Sequence, residues 1–305
     1  MTEAGARTAR LRSLTVSPQS FVWLAWAALT ALFLIVVSGA TVRLTGSGLG
    51  CENWPSCGET FLPPKDYNAY VEFGNRIVGF AVGLTTLVTA GAALRVPGLP
   101  RWLLAAAVAL PFTVLAQGIL GGITVLFELH PLIVMGHYLL SLVALAVAVV
   151  VLLGARDLER PAAAEGPLGA AWLALALVPA GFALVVSGTL VTAAGPHSGG
   201  EDIPRFGDLV EAVHIHIGAT ALFGVGFLGL LGLLLVERRR ARAELSLALS
   251  VLALLLVQMA VGEIQWREAL PWGLVLVHVT VATAVWTLLA ALAARIVLRR
   301  RARLP

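Results

Sequence analysis

Charged side chains are scarce in this sequence. Of its 305 residues, 12% are charged and 59% are hydrophobic, and the mean hydropathy is +0.91. A soluble domain carries roughly twice that charged fraction, because water must solvate its surface. The scarcity excludes an ordinary soluble globular protein and indicates that lipid is the main solvent around the chain.

Cysteine is also rare. The two cysteines, Cys51 and Cys57, are too few for a scaffold stapled by disulfides. Whether they pair depends on the side of the membrane that they face, because disulfides persist in an oxidising compartment. The pair therefore has to be interpreted together with the topology.

Long apolar runs are abundant. A helix that crosses a bilayer needs about 20 largely apolar residues, and eight runs qualify: 21–42, 74–94, 102–127, 131–154, 168–194, 210–236, 245–262 and 270–296. The first run follows three arginines, as in a signal peptide, but it is too long for one and lacks a convincing cleavage site. We therefore predict an all-α integral membrane protein with eight transmembrane helices, the first of them uncleaved.

The distribution of arginine and lysine predicts the orientation. If the N-terminus is cytoplasmic, sixteen of the 21 Lys and Arg residues fall in inner segments, and five fall in outer ones: Arg43, Lys65, Arg76, Arg205 and Arg267. Such an excess marks the cytoplasmic side. We expect a multi-pass protein of the plasma membrane with cytoplasmic N- and C-termini. The net charge of +4 then reflects topology, and no nucleic-acid partner is expected.

The chain contains an internal repeat. Val36-Val37-Ser38-Gly39 recurs as Val185-Val186-Ser187-Gly188, at an offset of 149 residues. At an offset of 141, Gln117, Gly121 and His137 recur as Gln258, Gly262 and His278, and Asn75 corresponds to His216. The first half therefore has eight extra residues, in the loop that holds Cys51 and Cys57.

The repeat predicts two tandem four-helix bundles. Each half has an even number of spans, so both halves have the same orientation and a pseudo-twofold axis runs along the membrane normal. We place the first half at 1–155, a cytoplasmic linker at 156–167 and the second half at 168–305.

The histidines are candidate iron ligands. A histidine within a span is costly unless it faces the bundle interior and has a partner. His216 and His278 lie at the same depth near the outer ends of spans six and eight, where two imidazoles could hold a haem iron axially. Each taken alone could equally form a helix–helix hydrogen bond. His214 points about 200° away from His216, and we expect His130 and His197 in loops or interfaces.

The corresponding pair in the first half is His137 and Asn75. Asparagine is a poor iron ligand, so this site has at most one strong ligand. An iron with an open position suits chemistry or exchange of a substrate, whereas a closed bis-histidine site suits electron transfer. The asymmetry predicts one structural or redox haem and one haem-sized substrate.

These residues carry a resemblance to a known family. The sequence resembles the haem A synthases of bacteria and mitochondria in motifs that span nearly the whole chain in family order: Arg43-Leu44-Thr45-Gly46-Ser47-Gly48-Leu49, Cys51, Trp54-Pro55, Cys57, Glu72-Phe73-Gly74-Asn75-Arg76, Gln117-Gly118-Ile119-Leu120-Gly121-Gly122, His137, Thr192-Ala193-Ala194-Gly195-Pro196-His197, His216 and His278.

The resemblance implies an oxidoreductase that converts the C8 methyl group of haem O to a formyl group, giving haem A for cytochrome oxidase. It implies a haem b cofactor between His216 and His278, and a substrate haem near Glu72 and His137. The family often has a histidine where this chain has Asn75. Haem O, a haem O synthase, an electron acceptor and the lipid bilayer are the expected partners, and a homo-oligomer remains open.

Five outer residues have two interpretations each. Arg43 and Arg76 are candidate contacts for a haem propionate, or they mark the membrane boundary. Glu72 either pairs with Arg76 or provides a catalytic carboxylate at the lip of the pocket, and the resemblance favours the second. In an oxidising outer loop, five intervening residues allow Cys51 and Cys57 to form a disulfide, which is favoured over a metal site.

Two other functions compete with haem A synthesis. A b-type cytochrome that carries electrons across the membrane needs haems near both faces, but all four candidate positions lie towards the outer face. A secondary transporter is compatible with a parallel repeat. It would be expected to have a polar or broken-helix site at the midplane, where these spans are smooth apart from Pro111 and Pro179.

Overall fold

The computed structural model describes residues 15–51, 53–58, 62–159, 168–197, 199 and 203–301. Within these ranges the regular structure consists of eight long helices without strands: α1 Pro18–Leu44, α2 Tyr67–Ala93, α3 Arg101–Leu126, α4 Pro131–Glu159, α5 Leu168–Ala194, α6 Leu209–Val236, α7 Arg242–Arg267 and α8 Trp272–Arg301. All eight are long and apolar enough to cross a membrane. The predicted eight-span fold is confirmed.

Several helices extend beyond the predicted apolar runs because polar turns continue them outside the hydrocarbon, whereas α5 coincides with its predicted run 168–194. The second helix starts at Tyr67, so Glu72 lies in its second turn. The fourth helix reaches Glu159 and therefore includes the first residues of the predicted linker 156–167, of which 160–167 lie outside the described residues. Arg7, Arg10, Arg12, Arg160 and Arg303, on which the predicted orientation partly depends, also lie outside them.

Aspartate begins the second helix of each half. Asp66 accepts a hydrogen bond from the Ala69 backbone N–H, and Asp208 accepts one from the Glu211 backbone N–H. Each carboxylate satisfies one of the free N–H groups of the first helical turn and carries the charge that a helix N-terminus favours. The two halves therefore start this helix in the same way.

Helix contacts confirm the tandem arrangement. In the first half α1 packs on α2, α2 on α3, α3 on α4, and α4 on α1, which closes a four-helix bundle. The second half repeats this order, although α6 meets α7 over a shorter stretch than α2 meets α3. Between the halves, α4 packs on α8, α4 on α5, and α1 on α8. A rotation that exchanges the two halves converts the α4–α5 contact into the α1–α8 contact. It converts the α4–α8 contact into itself, so the pseudo-twofold axis passes between α4 and α8.

The turns that join the last two helices of each half also repeat. Glu128 and Leu129 have φ angles of 49° and 56°, and Ala269 and Leu270 have φ angles of 57° and 61°. Such left-handed conformations are uncommon for residues with a side chain. We call the end of the protein that carries these turns the outer end.

Hydrophobic side chains fill both bundles and join them. Phe21, Leu103 and Leu142 are among the fully buried residues of the first half, and Phe227 is among those of the second. The Trp286 indole crosses the boundary, where its Nε1–H donates to the Leu142 carbonyl over 2.8 Å. Exposed aromatic side chains lie near both ends of the helices, as in a membrane protein: Trp23, Trp26 and Trp172 at the inner end, and Tyr67, Tyr70, Trp266 and Trp272 at the outer end.

Candidate haem sites

The four repeat-related positions lie at one depth. Asn75, His137, His216 and His278 come six to eight residues after the outer starts of α2, α4, α6 and α8. At 1.5 Å per residue, each lies about 10 Å inside its helix start. Among the described residues the inner half of the helices holds no histidine.

A glycine on a neighbouring helix supports each of these side chains. A Cβ atom on Gly121 would lie 3.3 Å from His137 Cε1, one on Gly188 would lie 3.1 Å from His216 Cε1, and one on Gly262 would lie 3.2 Å from His278 Cε1. The fourth glycine, Gly39, is looser, because its Cβ would lie 3.9 Å from Asn75 Oδ1. The imidazoles therefore lie directly against the backbone of the adjacent helix, where any larger residue would crowd them.

His216 and His278 have the spacing of two ligands to one iron. Their ring centres are 6.4 Å apart and their planes make an angle of 70°. Two imidazole–metal bonds of about 2 Å place the ligating nitrogens about 4 Å apart and the ring centres slightly over 6 Å apart. In the described part of the chain, no group of three or more His, Cys, Asp and Glu side chains could hold a metal ion. An iron between these two imidazoles would therefore need further ligands from outside this set of side chains.

Ser187 determines which nitrogen of His216 faces the pair. The Ser187 hydroxyl donates its one proton to the Leu184 carbonyl over 2.6 Å, and its oxygen lies 2.9 Å from His216 Nδ1. In the tautomer of His216 that is protonated at Nδ1, Ser187 accepts a hydrogen bond from Nδ1–H, and Nε2 is left unprotonated for a metal. His278 Nδ1 is buried without a hydrogen-bond partner.

The other histidines lie apart from this pair. His214 is exposed on α6, as expected from its direction, and His130 is exposed in the turn before α4. His197 lies in the loop after α5, where its Nε2–H donates to the Leu270 carbonyl over 2.7 Å. None of these three side chains faces His216 or His278.

Buried polar atoms without partners occur at the equivalent positions of both halves. Gln117 Nε2 donates to the His137 carbonyl and to Ser141 Oγ, but Gln117 Oε1 and His137 Nδ1 have no hydrogen-bond partner, and neither do Gln258 Oε1 and His278 Nδ1 in the second half. In the first half, Asn75 Oδ1 and the Nε and Nη2 atoms of Arg43 are also buried without one. A buried polar atom without a partner costs roughly 1–3 kcal/mol, so the additional atoms of Asn75 and Arg43 favour a polar ligand in the first-half site.

Arg43 gives this site a positive charge. It lies one helical turn outward of Gly39, on the same face of α1. Arg205, from the loop between α5 and α6, is near enough for the two positive charges to interact. Two neighbouring positive charges, one of them on the partly buried Arg43, favour an anionic ligand such as a carboxylate.

Glu72 and Arg76 hold the outer loop. Glu72 is 5% exposed, and its Oε1 accepts from Arg76 Nη2 over 2.5 Å while its Oε2 accepts from the Cys51 backbone N–H over 2.9 Å. Arg76 Nη1 lies 2.7–3.0 Å from the carbonyl oxygens of Asn53, Pro55 and Ser56. In this geometry the carboxylate and the guanidinium fix the loop to α2.

The same loop contains the disulfide and packs on α3 next to the first-half site. Cys51 and Cys57 are bonded to each other, as predicted. Trp54 lies against Gly122 on α3, where a Cβ atom would be 2.7 Å from Trp54 Cδ2. Gly122 follows Gly121, which supports His137, so the indole lies beside the candidate substrate site. The residue equivalent to Gly122 in the second half is Glu263, which is exposed and pairs with Arg267.

Sequence reasoning missed Ser187, Trp54 and Gly122 as parts of the sites. Ser187 and Gly122 lie in motifs that had been noted, but their partners are on other helices or in a loop. The repeat of Val-Val-Ser-Gly was the available signal for Ser187, and the consecutive glycines Gly121 and Gly122 were the signal for a close approach.

Comparison with known proteins agrees with these features. The chain is 36% identical to a haem A synthase of Symbiobacterium thermophilum over 132 residues, 43% of each chain. It is 28% identical to a haem A synthase of Lysinibacillus sphaericus over 174 residues, 55% of this chain and 57% of that protein. A haem A synthase of Shewanella oneidensis is 32% identical over 135 residues, 38% of this chain and 40% of that protein.

The matched regions thus span about half the length of these relatives. A family model covers more of the chain, because the model of the cytochrome oxidase assembly protein family COX15-CtaA matches residues 22–290. That range includes six of the eight helices in full, most of the first and last helices, and every candidate site residue named above. This chain belongs to the cytochrome oxidase assembly protein family.

Proposed function

We propose that this protein is a haem A synthase, a membrane oxidoreductase that converts the C8 methyl group of haem O to a formyl group. The observation that carries the proposal is the asymmetry between equivalent sites. One half has two imidazoles with ring centres 6.4 Å apart, and the other has His137 with Asn75 and the buried, unpartnered guanidinium nitrogens of Arg43. The first arrangement suits a resident redox cofactor and the second suits a substrate.

His216 and His278 would hold the cofactor, a haem b. When bound, haem b supplies one-electron transfer. Ser187 keeps Nε2 of His216 available as a ligand, and Gly188 and Gly262 let both rings lie against the helix backbone. The short α6–α7 junction opens the space between the two histidine-bearing helices towards one side of the bundle, which suits a flat ring.

Haem O would bind in the first half as the substrate. His137 is the candidate iron ligand, and Asn75 lies where a second ligand would stand. Arg43 is the stronger candidate for a propionate contact, because its Nε and Nη2 atoms are buried without a partner. Arg76 is the weaker candidate, because both of its terminal nitrogens already bind Glu72 and the loop carbonyls.

Glu72 is the proposed catalytic carboxylate. Conversion of a methyl group to a formyl group removes protons and electrons and adds one oxygen atom, which balances if water supplies the oxygen and the electron acceptor takes the electrons. A carboxylate in a water-poor pocket stabilises positive charge at the reacting carbon or takes up a proton. Glu72 is buried and oriented by Arg76 and by the Cys51 N–H. These contacts also suit the alternative role, in which the Glu72–Arg76 pair anchors the loop.

The setting follows from the topology and the chemistry. We place the protein in the plasma membrane with both termini in the cytoplasm. A haem O synthase would supply the substrate, an electron acceptor would remove the electrons released by the oxidation, and cytochrome oxidase would receive haem A. The order of these steps is fixed by their chemistry, because haem O must form before its methyl group is oxidised.

Pigment extraction tests the proposal directly. Membranes from cells that make haem O, with and without this protein, are extracted and their haems are separated. We expect haem A only when the protein is present. An electron carrier would contain bound haem without producing haem A, and a transporter would purify without haem, so either result would overturn the proposal.

A further inference from the structure

A Ser-Gly pair recurs at an offset of 149 residues, as Ser38-Gly39 on α1 and Ser187-Gly188 on α5. We propose that this pair is a seat for an imidazole, used by His216 in the second half and retained opposite Asn75 in the first half. The seat consists of Ser187 and Gly188 on α5, and of Ser38 and Gly39 on α1. The inference rests on the proposed function only in assuming that His216 binds a haem iron.

The serine of the seat determines the protonation and basicity of the ring. Ser187 is 5% exposed, and when its hydroxyl donates to the Leu184 carbonyl, its oxygen accepts from His216 Nδ1–H. An acceptor at Nδ1 fixes the ring orientation and raises the basicity of Nε2, which strengthens its bond to an oxidised metal. Ser187 is therefore a positioning residue that acts on the iron through His216.

The glycine of the seat determines where the ring plane can lie. A Cβ atom on Gly188 would lie 3.1 Å from His216 Cε1 and 3.5 Å from Nδ1. Ordinary van der Waals contact begins a few tenths of an ångström farther out, so alanine at this position must displace the imidazole. The glycine thus permits the approach that brings Nδ1 within 2.9 Å of Ser187 Oγ.

The first half retains the seat without the ring. Ser38 and Gly39 occupy the equivalent turn of α1, and Gly39 faces Asn75 at the longer distance of 3.9 Å. Asn75 is shorter than histidine, and its Oδ1 makes no hydrogen bond. An imidazole at position 75 would therefore have room beside Gly39, and by analogy with Ser187 we expect the Ser38 hydroxyl to accept its Nδ1–H.

The first test compares equivalent substitutions in the two halves of the haem-loaded protein. We expect Ser187→Ala to raise the midpoint potential of the low-spin haem and to speed its loss to apomyoglobin about tenfold or more, the usual effect of removing such a partner. Gly188→Ala should change the low-spin electron paramagnetic resonance signal. Ser38→Ala and Gly39→Ala are the matched controls. They should leave the midpoint potential, the rate of loss and the resonance signal of the low-spin second-half haem unchanged.

The second test introduces the missing ring. Asn75→His should hold a haem in the first half more tightly, without faster turnover. In the Asn75→His background, adding Ser38→Ala should make the first-half haem dissociate about tenfold faster. Adding Ser187→Ala should leave the dissociation rate of that haem unchanged. The dissociation of both haems is measured in the same variant. A general loss of stability would therefore speed the loss of both haems.

The outcomes separate this inference from the proposed function. If wild-type protein produces haem A but Ser187→Ala and Gly188→Ala leave the low-spin haem unaltered while His216→Ala abolishes it, the seat is wrong and the function stands. Equal effects of Ser38→Ala and Ser187→Ala on the low-spin haem would also overturn the seat. If the wild-type protein never shows a low-spin haem, the proposed function itself fails.

Discussion

His214 and His216 are two residues apart on α6, but only one of them faces His278. His214 is exposed, whereas the His216 ring contacts the Ser187 hydroxyl and lies against Gly188. We expect His216→Ala, and equally His278→Ala, to abolish the low-spin haem spectrum, because one imidazole cannot complete the axial pair. His214→Ala should leave the spectrum intact. An unchanged optical spectrum in purified His216→Ala would contradict the assignment.

Glu72 can be tested against its own partner. If it is catalytic, Glu72→Gln should keep the fold, haem b and haem O binding but should lose at least 100-fold of haem A formation, the lower range for general acid–base catalysis. If Glu72 only anchors the loop, Glu72→Gln and Arg76→Gln should both lower thermal stability and leave activity within a few-fold. Haem A yield and melting temperature, measured on both variants, separate the two roles.

The element with the most specific packing is the disulfide loop. Gly122→Ala would place a Cβ atom 2.7 Å from the rigid Trp54 ring, so the indole and its loop must move away from α3. We expect first-half haem to dissociate about tenfold faster, since overpacking costs of the order of 1–3 kcal/mol. Glu263→Ala, at the equivalent exposed position of the second half, is the control and should have no effect. Equal dissociation rates would mean that the loop does not cover the site.

The inner ends of α7 and α8 are joined by a buried ion pair. Arg295 Nε donates to Glu244 Oε1 over 2.9 Å, and Glu244 is fully buried. The equivalent residues in the first half are Leu103 and Gly154, which are in apolar contact. The same junction is therefore built from charges in one half and from hydrophobic packing in the other.

This difference predicts an asymmetric mutational effect. Arg295→Met should destabilise the protein by about 3–5 kcal/mol, because it leaves a buried carboxylate without its cation. The double variant Glu244→Leu with Arg295→Met should recover most of that loss, because apolar residues can replace a buried ion pair at little cost. Thermal unfolding in detergent measures both changes. A double variant as unstable as Arg295→Met would show that the pair contributes more than mutual neutralisation.

At the scale of the whole molecule, the two native cysteines report the orientation. Intact protein should resist thiol reagents, because Cys51 and Cys57 are bonded. After mild reduction, an impermeant reagent should label them in right-side-out vesicles and not in inverted ones. Arg239→Cys, in the exposed turn after α6, should show the opposite pattern. Labelling of Cys51 and Cys57 from the inner side would reverse the proposed topology.

The sequence by itself determined the number of spans and the repeat. Backbone groups in a bilayer must be satisfied within each segment, so a long apolar run predicts one helix without knowledge of its neighbours. The offset of 141 residues likewise related Asn75 and His137 to His216 and His278. These features are local or periodic, and they can be read along a single chain.

The tertiary structure alone decided which groups touch. Ser187 accepts from His216, Trp54 lies on Gly122, and Glu72 holds Cys51 through contacts that join residues 21 to 68 positions apart. Helix rotation and loop path set these contacts, and neither follows from hydropathy, because an apolar face tells a helix to be buried but not against which side chain. The spacing of 6.4 Å between the imidazoles likewise arises from how α6 and α8 are packed within the bundle.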